Sequence, residues 1–91
     1  HRPKLVVGFS AETENLMKNS KNKLKNKNCD WIIANDVSRQ NIGFNKDYNE
    51  VIIIEANGKI SKIKKNKKSF IASVISGKII NNLLSNDKNL N

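Results

Sequence analysis

Lys23 and Lys27 stand four residues apart within a lysine-rich stretch, 18–27. On a helix that spacing places both side chains on one face, with Cβ atoms ~5–6 Å apart. Two ammonium groups so close repel each other, and an anion such as a polyphosphate relieves the repulsion. Lys21 and Lys25 share the spacing, so spacing alone does not select a pair, and a solvated lysine face accounts for the same run. Two short segments, 8–13 (GFSAET) and 34–37 (ANDV), carry residue types found in ligand-binding loops. If the strands before them are parallel and adjacent, both loops lie at the carboxyl ends where open α/β sheets bind ligands. Thr13 as a helix cap and Asn35-Asp36 as a turn explain the same residues without a ligand. Phe9, after Gly8 at a strand end, is placed to pack under a base, although a core position also suits a lone Phe. Phe44 falls in a segment predicted to be a loop, where an aromatic is expected either to meet a ligand or simply to anchor the loop. Cys29 has no neighbouring base in sequence to activate it. One Cys and one His do not make a zinc site. No Gly-rich phosphate loop, Walker A motif or Ser-His-Asp order is present.

The rest of the composition bounds what such residues can serve. The chain has 91 residues and a net charge of +9. That length suits one domain with a thin core. Fifteen Lys and sixteen Asn give it a Lys/Asn bias that weakens charge as a sign of a nucleic-acid partner. A basic patch built for phosphate usually includes Arg, whose guanidinium forks onto phosphate and stacks on bases. Here Arg occurs only at positions 2 and 39. Apolar runs such as Val51–Ile54 are far short of the ~20 residues that span a bilayer, and the N-terminus lacks a signal-peptide pattern. A reducing, cytoplasmic setting is the expectation. The chain opens at His1 and enters an apolar segment within three residues, which predicts a piece of a longer protein.

These residues need elements to hold them. Segment 4–9 (KLVVGF) predicts a buried strand, with a turn over 10–13. Thr13 is the expected N-cap of a helix over 14–26, whose apolar stripe is Leu16, Met17, Ser20 and Leu24. Segment 30–34 (DWIIA) predicts a second buried strand ending in the turn residues Asn35-Asp36. Residues 37–48 have no clean period and predict a loop. Segment 50–55 (EVIIIE) predicts a third strand. Asn57-Gly58 predicts a two-residue type I′ hairpin into 59–64 (KISKIK), a lysine-dense edge strand. A last helix is expected from the N-cap Ser69 to about Leu84, then a frayed polar tail over 86–91. The order β-α-β-loop-β-β-α predicts an α/β layered domain, Rossmann-like in its β-α-β start, with a parallel pair, an added hairpin and a C-terminal helix.

Three separated segments together resemble one enzyme family. Residues 6–13 (VVGFSAET) resemble the V-G-F-A-A-E-T segment of phosphopantothenate–cysteine ligases. Residues 23–37 (KLKNKNCDWIIANDV) resemble that family's K-x-x-x-K-N-x-D-x-I-x-A-N-D-V. Residues 42–49 (IGFNKDYN) resemble its G-F-x-S-D-x-N loop, with Lys46 where the family often has Ser. Order and spacing also agree, and the resemblance extends over essentially the whole chain. It implies that residues 1–85 are the C-terminal part of a ligase domain. In bacteria this is usually the second half of a bifunctional coenzyme A biosynthesis flavoprotein. The implied reaction uses CTP with Mg²⁺ to activate 4′-phosphopantothenate as an acyl-cytidylate, which the amine of cysteine then attacks to give phosphopantothenoylcysteine. By motif position Phe9, Lys23 and Lys27 are the implied nucleotide contacts. Asn35 joins them by likeness to ATP-using eukaryotic relatives. Ser10 replaces the usual Ala. FMN belongs only to a possible N-terminal decarboxylase half. The family's Gly-rich nucleotide loop, its phosphopantothenate-binding Asn, its K-x-K-x-x lysine and most dimerisation elements precede the part matched here. The resemblance therefore implies part of a CTP pocket, inactive alone, completed by an N-terminal part and homo-oligomeric at full length. Neither nucleic acid nor a membrane is an implied partner.

Two other classes remain to be weighed. A small basic nucleic-acid-binding module would use the lysines of 18–27 and 59–68 as a phosphate footprint. A structural domain without a ligand would make Lys23 and Phe9 matter for stability alone.

Overall fold

The computed structural model describes residues 4–37 and 48–89. Their element order is β1 (Val7–Glu12), α1 (Leu16–Asn26), β2 (Trp31–Asp36), β3 (Tyr48–Glu55), β4 (Ile60–Lys67) and α2 (Lys68–Asn89). The four strands form one sheet in the order β1-β2-β3-β4. β1 and β2 are parallel, while β2–β3 and β3–β4 are antiparallel. The α/β architecture with a parallel pair and an added hairpin is thus the one the sequence predicts. The expected loop over 37–48, including Phe44 and Lys46, lies largely outside the described residues.

Alternation along the strands divides the core between two faces. On one, Trp31, Ile33, Val51, Ile53, Ile63 and Ile71 form a buried cluster joined by Val74, Ile75 and Ile79 of α2. On the other, Cys29, Ile32 and Ile54 pack with Met17 and Leu24 of α1. Central β2 is therefore buried from Trp31 to Ala34 without interruption. This is why it reads as a continuous apolar run. Burial of each Ile or Val in these clusters contributes about 1.5–3 kcal/mol.

Gly8 is fixed by close approach. A Cβ there would meet Ile32 Cδ1 at 2.8 Å and Cys29 Sγ at 3.0 Å. The amino ends of the parallel strands are clamped by Asp30. Its Oδ2 accepts from Val6 N at 2.8 Å, its own amide donates to Val6 O at 2.8 Å, and its carbonyl accepts from Ala56 N at 2.7 Å.

The strands differ from the predicted ones mostly at their carboxyl ends. β1 starts later than Lys4 and continues through Ser10, Ala11 and Glu12, where a turn was expected. β2 runs through Asn35 and Asp36. Pairing explains both extensions, since Ser10↔Ala34, Ala11↔Asn35 and Glu12↔Asp36 complete the parallel ladder. With Thr13 and Glu14 left for the turn, the helix N-cap moves to Asn15, which takes a left-handed conformation (φ 48°) and makes no side-chain cap bond. Asn tolerates that conformation better than most residues.

The hairpin stands where Asn57-Gly58 predicts it, with a different turn. Gly58 N donates to Glu55 O at 2.9 Å and Glu55 N to Lys59 O at 2.9 Å, so Ala56, Asn57 and Gly58 form a three-residue loop. Only Gly58 has positive φ, 95°, whereas a type I′ turn needs it at both central residues. β4 is an edge strand, as its lysines suggest, and extends to Lys67. α2 starts at once at Lys68, one residue before the expected cap, and continues through Asn89 across the start of the predicted frayed tail.

Candidate functional site at the carboxyl ends of the parallel strands

Glu12 and Asp36, the last residues of β1 and β2, are paired neighbours. Val37 N donates to Glu12 O at 2.9 Å and draws the segment after β2 against the end of β1. The two motif segments therefore do lie side by side. β4 runs in the same direction as β1 and β2, being antiparallel to β3. The first residue of α2 consequently opens at this same end of the sheet.

On the α1 face the strand end carries a buried polar network. Ser20, wholly buried, donates from Oγ to Ser10 Oγ at 3.2 Å. Ser10 Oγ in turn donates to Glu12 Oε2. Lys23 Nζ donates to that same Oε2 at 2.5 Å. The Glu12 side chain is 10% exposed and that of Lys23 41% exposed. The hydrogen bonds from Lys23 and then Ser10 hold the Glu12 carboxyl below its ordinary pKa, with burial opposing them. Lys23 is thus positioned by an internal anion and still reaches solvent. Lys27 is exposed and lies just past the helix as its C-cap. Its amide donates to Lys23 O at 3.0 Å, so the one-turn spacing of the two lysines persists although the regular helix ends at Asn26.

On the α2 face the same strand end carries an open cleft of about 330 Å³. Its floor is Phe9, Ala11, Ile33, Asn35 and Val51, and its wall is α2 from Lys68 to Ile75. The cleft exists because α2 lies against β3 and β4, leaving the outer strand uncovered. Phe9 is 70% exposed there, so it is not a core residue. The Oδ1 of Asn35 is buried with no hydrogen-bond partner. Such an acceptor costs about 1–3 kcal/mol when left unpaired.

Phe9 and Asn35 are therefore brought together in one cleft. Lys23 lies across the sheet from them, with Lys27 one turn further along the chain. A single ligand touching both groups must pass over the strand ends, the place where open α/β sheets bind ligands. Sequence reasoning missed Glu12, Ser20 and Lys68. The polar-apolar-polar order of Ser10-Ala11-Glu12, directly after the apolar segment 5–9, was the available signal for Glu12. Ser20 on an otherwise apolar stripe was the signal for a polar contact beneath α1. Nothing local marked Lys68 among its lysine neighbours. Among the described residues no cluster of three or more His, Cys, Asp or Glu could hold a metal, and no helix is long and apolar enough to cross a membrane. The nucleic-acid alternative is not favoured: the lysines of 18–27 lie on and just after α1, while those of 59–68 run from the hairpin along the edge strand β4 to the start of α2, and Lys62 there pairs with Glu50 at 3.4 Å.

Comparison with known proteins adds independent findings. The family described as DNA/pantothenate metabolism flavoprotein C-terminal domain matches residues 1–83. A relative from an unknown prokaryotic organism, named cysteine/cysteine sulfinic acid decarboxylase, is 36% identical over 76 residues, or 84% of this chain and 21% of its own. The coenzyme A biosynthesis bifunctional protein CoaBC of Haemophilus influenzae is 41% identical over 75 residues, or 82% of this chain and 18% of its own. The crystal structure of the C-terminal domain of CoaBC matches with a TM-score of 0.70 at 27% identity, covering 94% of this chain and 37% of that one. The chain spans about a fifth of the length of the two sequence relatives.

Proposed function

The chain belongs to the family of DNA/pantothenate metabolism flavoprotein C-terminal domains, and from that premise we propose that it supplies part of the nucleotide site of a CTP-dependent phosphopantothenate–cysteine ligase. The observation that carries this reading is the convergence of Phe9, Asn35 and Lys23 on the carboxyl end of the β1–β2 pair. In it, Phe9 lies against the base, Asn35 accepts from a donor on the nucleotide, and Lys23 and Lys27 neutralise phosphate charge. The triphosphate travels with Mg²⁺, which keeps several waters and is commonly held through phosphate oxygens, so it needs no dedicated cage of protein ligands here. The reaction is an acyl activation by CTP followed by attack of the cysteine amine. Positioning and charge neutralisation are the parts these residues serve. The remaining pocket, 4′-phosphopantothenate contacts and subunit interface belong to an N-terminal part of the same enzyme, and FMN to a further decarboxylase half.

The test compares charge-matched double variants in the full-length enzyme. Lys23→Gln with Lys27→Gln lowers kcat/KM for CTP by on the order of 10- to 100-fold, the scale of charge-assisted contacts to phosphate. Lys62→Gln with Lys64→Gln leaves it nearly unchanged. Equal losses would reduce the site to bulk charge and overturn the reading. The 91-residue chain alone gives no pyrophosphate release with CTP, 4′-phosphopantothenate and cysteine. Turnover above background would disprove the division of the active site.

A further inference from the structure

Lys68 has no place in the motif match, yet it lines the cleft together with Phe9 and Asn35. Its position follows from the topology. β4 ends at Lys67 on the same side as Glu12 and Asp36, and α2 begins without an intervening loop. Lys68 is therefore delivered to the carboxyl end of the sheet by the strand itself. The residue is exposed, and among the described residues no carboxylate lies within ion-pair distance of it. Lys23 is different: its ammonium is already held by Glu12 at 2.5 Å on the opposite face.

The cleft thus combines three features of separate origin. Apolar walls from Ile33, Val51, Ile71 and Ile75 and the face of Phe9 suit a flat ring. The unpaired Asn35 Oδ1 requires a donor. The Lys68 ammonium, a compact hydrated point charge, suits an anionic group. A base, or a base with its sugar, provides the first two, and a phosphate the third. We propose that Lys68 is a phosphate-contacting residue on the Phe9 face of the nucleotide site, additional to the Lys23 and Lys27 pair. The proposal rests on the nucleotide reading above.

The experiment measures binding of cytidine, CMP and CTP to the full-length enzyme at low ionic strength by isothermal titration calorimetry. Lys68→Gln weakens CMP and CTP about fivefold or more, as expected for loss of a partly exposed charge-assisted contact. It leaves cytidine within about twofold, because a neutral ligand offers it no phosphate. Lys65→Gln, an exposed charge-matched change outside the cleft lining, has no comparable effect. Phe9→Ala weakens all three ligands. If Phe9→Ala acts on all three but Lys68→Gln merely tracks Lys65→Gln, Lys68 is no phosphate contact and the cleft reading stands. If Phe9→Ala leaves the affinity of all three ligands unchanged, the cleft is not a nucleotide site and the role of Lys68 falls with it.

Discussion

At the carboxyl end of the β1–β2 pair the two faces of the sheet are built in opposite ways. On the α1 face, Ser20, Ser10, Glu12 and Lys23 form a network in which each polar group has a partner. On the α2 face, Phe9 is largely exposed and Asn35 Oδ1 is unpaired, beside an open cleft. Helix placement makes the difference. α1 lies against β1, β2 and β3, whereas α2 lies against β3 and β4 and leaves β1 bare. A satisfied network holds a side chain in place, while an unsatisfied cleft leaves groups available to a ligand. Both are expected where a domain supplies part of a binding site: one face sets the position of a cation and the other offers surface.

The contrast is open to direct attack. Beneath the strand ends the two faces are alike, so Ile32→Ala on the α1 side and Ile53→Ala on the α2 side each cost about 2–5 kcal/mol in urea unfolding. A much smaller loss on one side would mean that its helix is loosely docked. Near the site the faces diverge. Phe9→Ala changes stability by no more than about 0.5 kcal/mol and weakens nucleotide binding about tenfold, in line with loss of a stacking face. Glu12→Ala does the reverse first, lowering the urea midpoint by stripping Lys23 and Ser10 of their acceptor. If Phe9→Ala destabilised the chain as Glu12→Ala does, the open face would be a structural one.

Acid provides a finer probe. The folded-state pKa of Glu12 is depressed, so the folded chain binds fewer protons than the unfolded chain as this group titrates. Its contribution is complete above the unfolded value near 4.5 and is lost as pH falls from there through the folded value. Stability therefore declines more steeply with acid in the parent chain than in Glu12→Gln, and parallel curves would show that the network stores no stability. The smallest effect is expected at the β4 edge. Lys62→Gln breaks the exposed pair with Glu50 and changes unfolding free energy by about 0.5 kcal/mol or less. A larger loss would mean that the edge strand is held by more than its ladder.

Much of this was legible in the residues. The apolar runs of β2 and β3, the hairpin at Asn57-Gly58 and the stripe of Met17 and Leu24 follow from side-chain chemistry and periodicities of two and 3.6. Two of the motif segments, 6–13 and 23–37, contain Phe9, Lys23, Lys27 and Asn35, the residues proposed for the nucleotide. What was not legible depended on partners distant in sequence. Ser10, Glu12, Asn35 and Asp36 are polar and resemble turn residues locally, yet parallel pairing keeps them in strands. Asn57-Gly58 favours one turn locally and adopts another, because the register of β3 and β4 leaves room for a three-residue loop.

By itself, then, the sequence determined the element types, the two-sided burial of β2 and the residues that match a ligase family. Those properties arise from local propensity, from alternation and from residue identity. Only the tertiary structure decided which lysine meets Glu12, which face Phe9 shares with Asn35, and that Lys68 joins them. Those relations depend on strand direction, on the side of the sheet each helix covers and on how far it reaches, and these are set by packing of the whole chain.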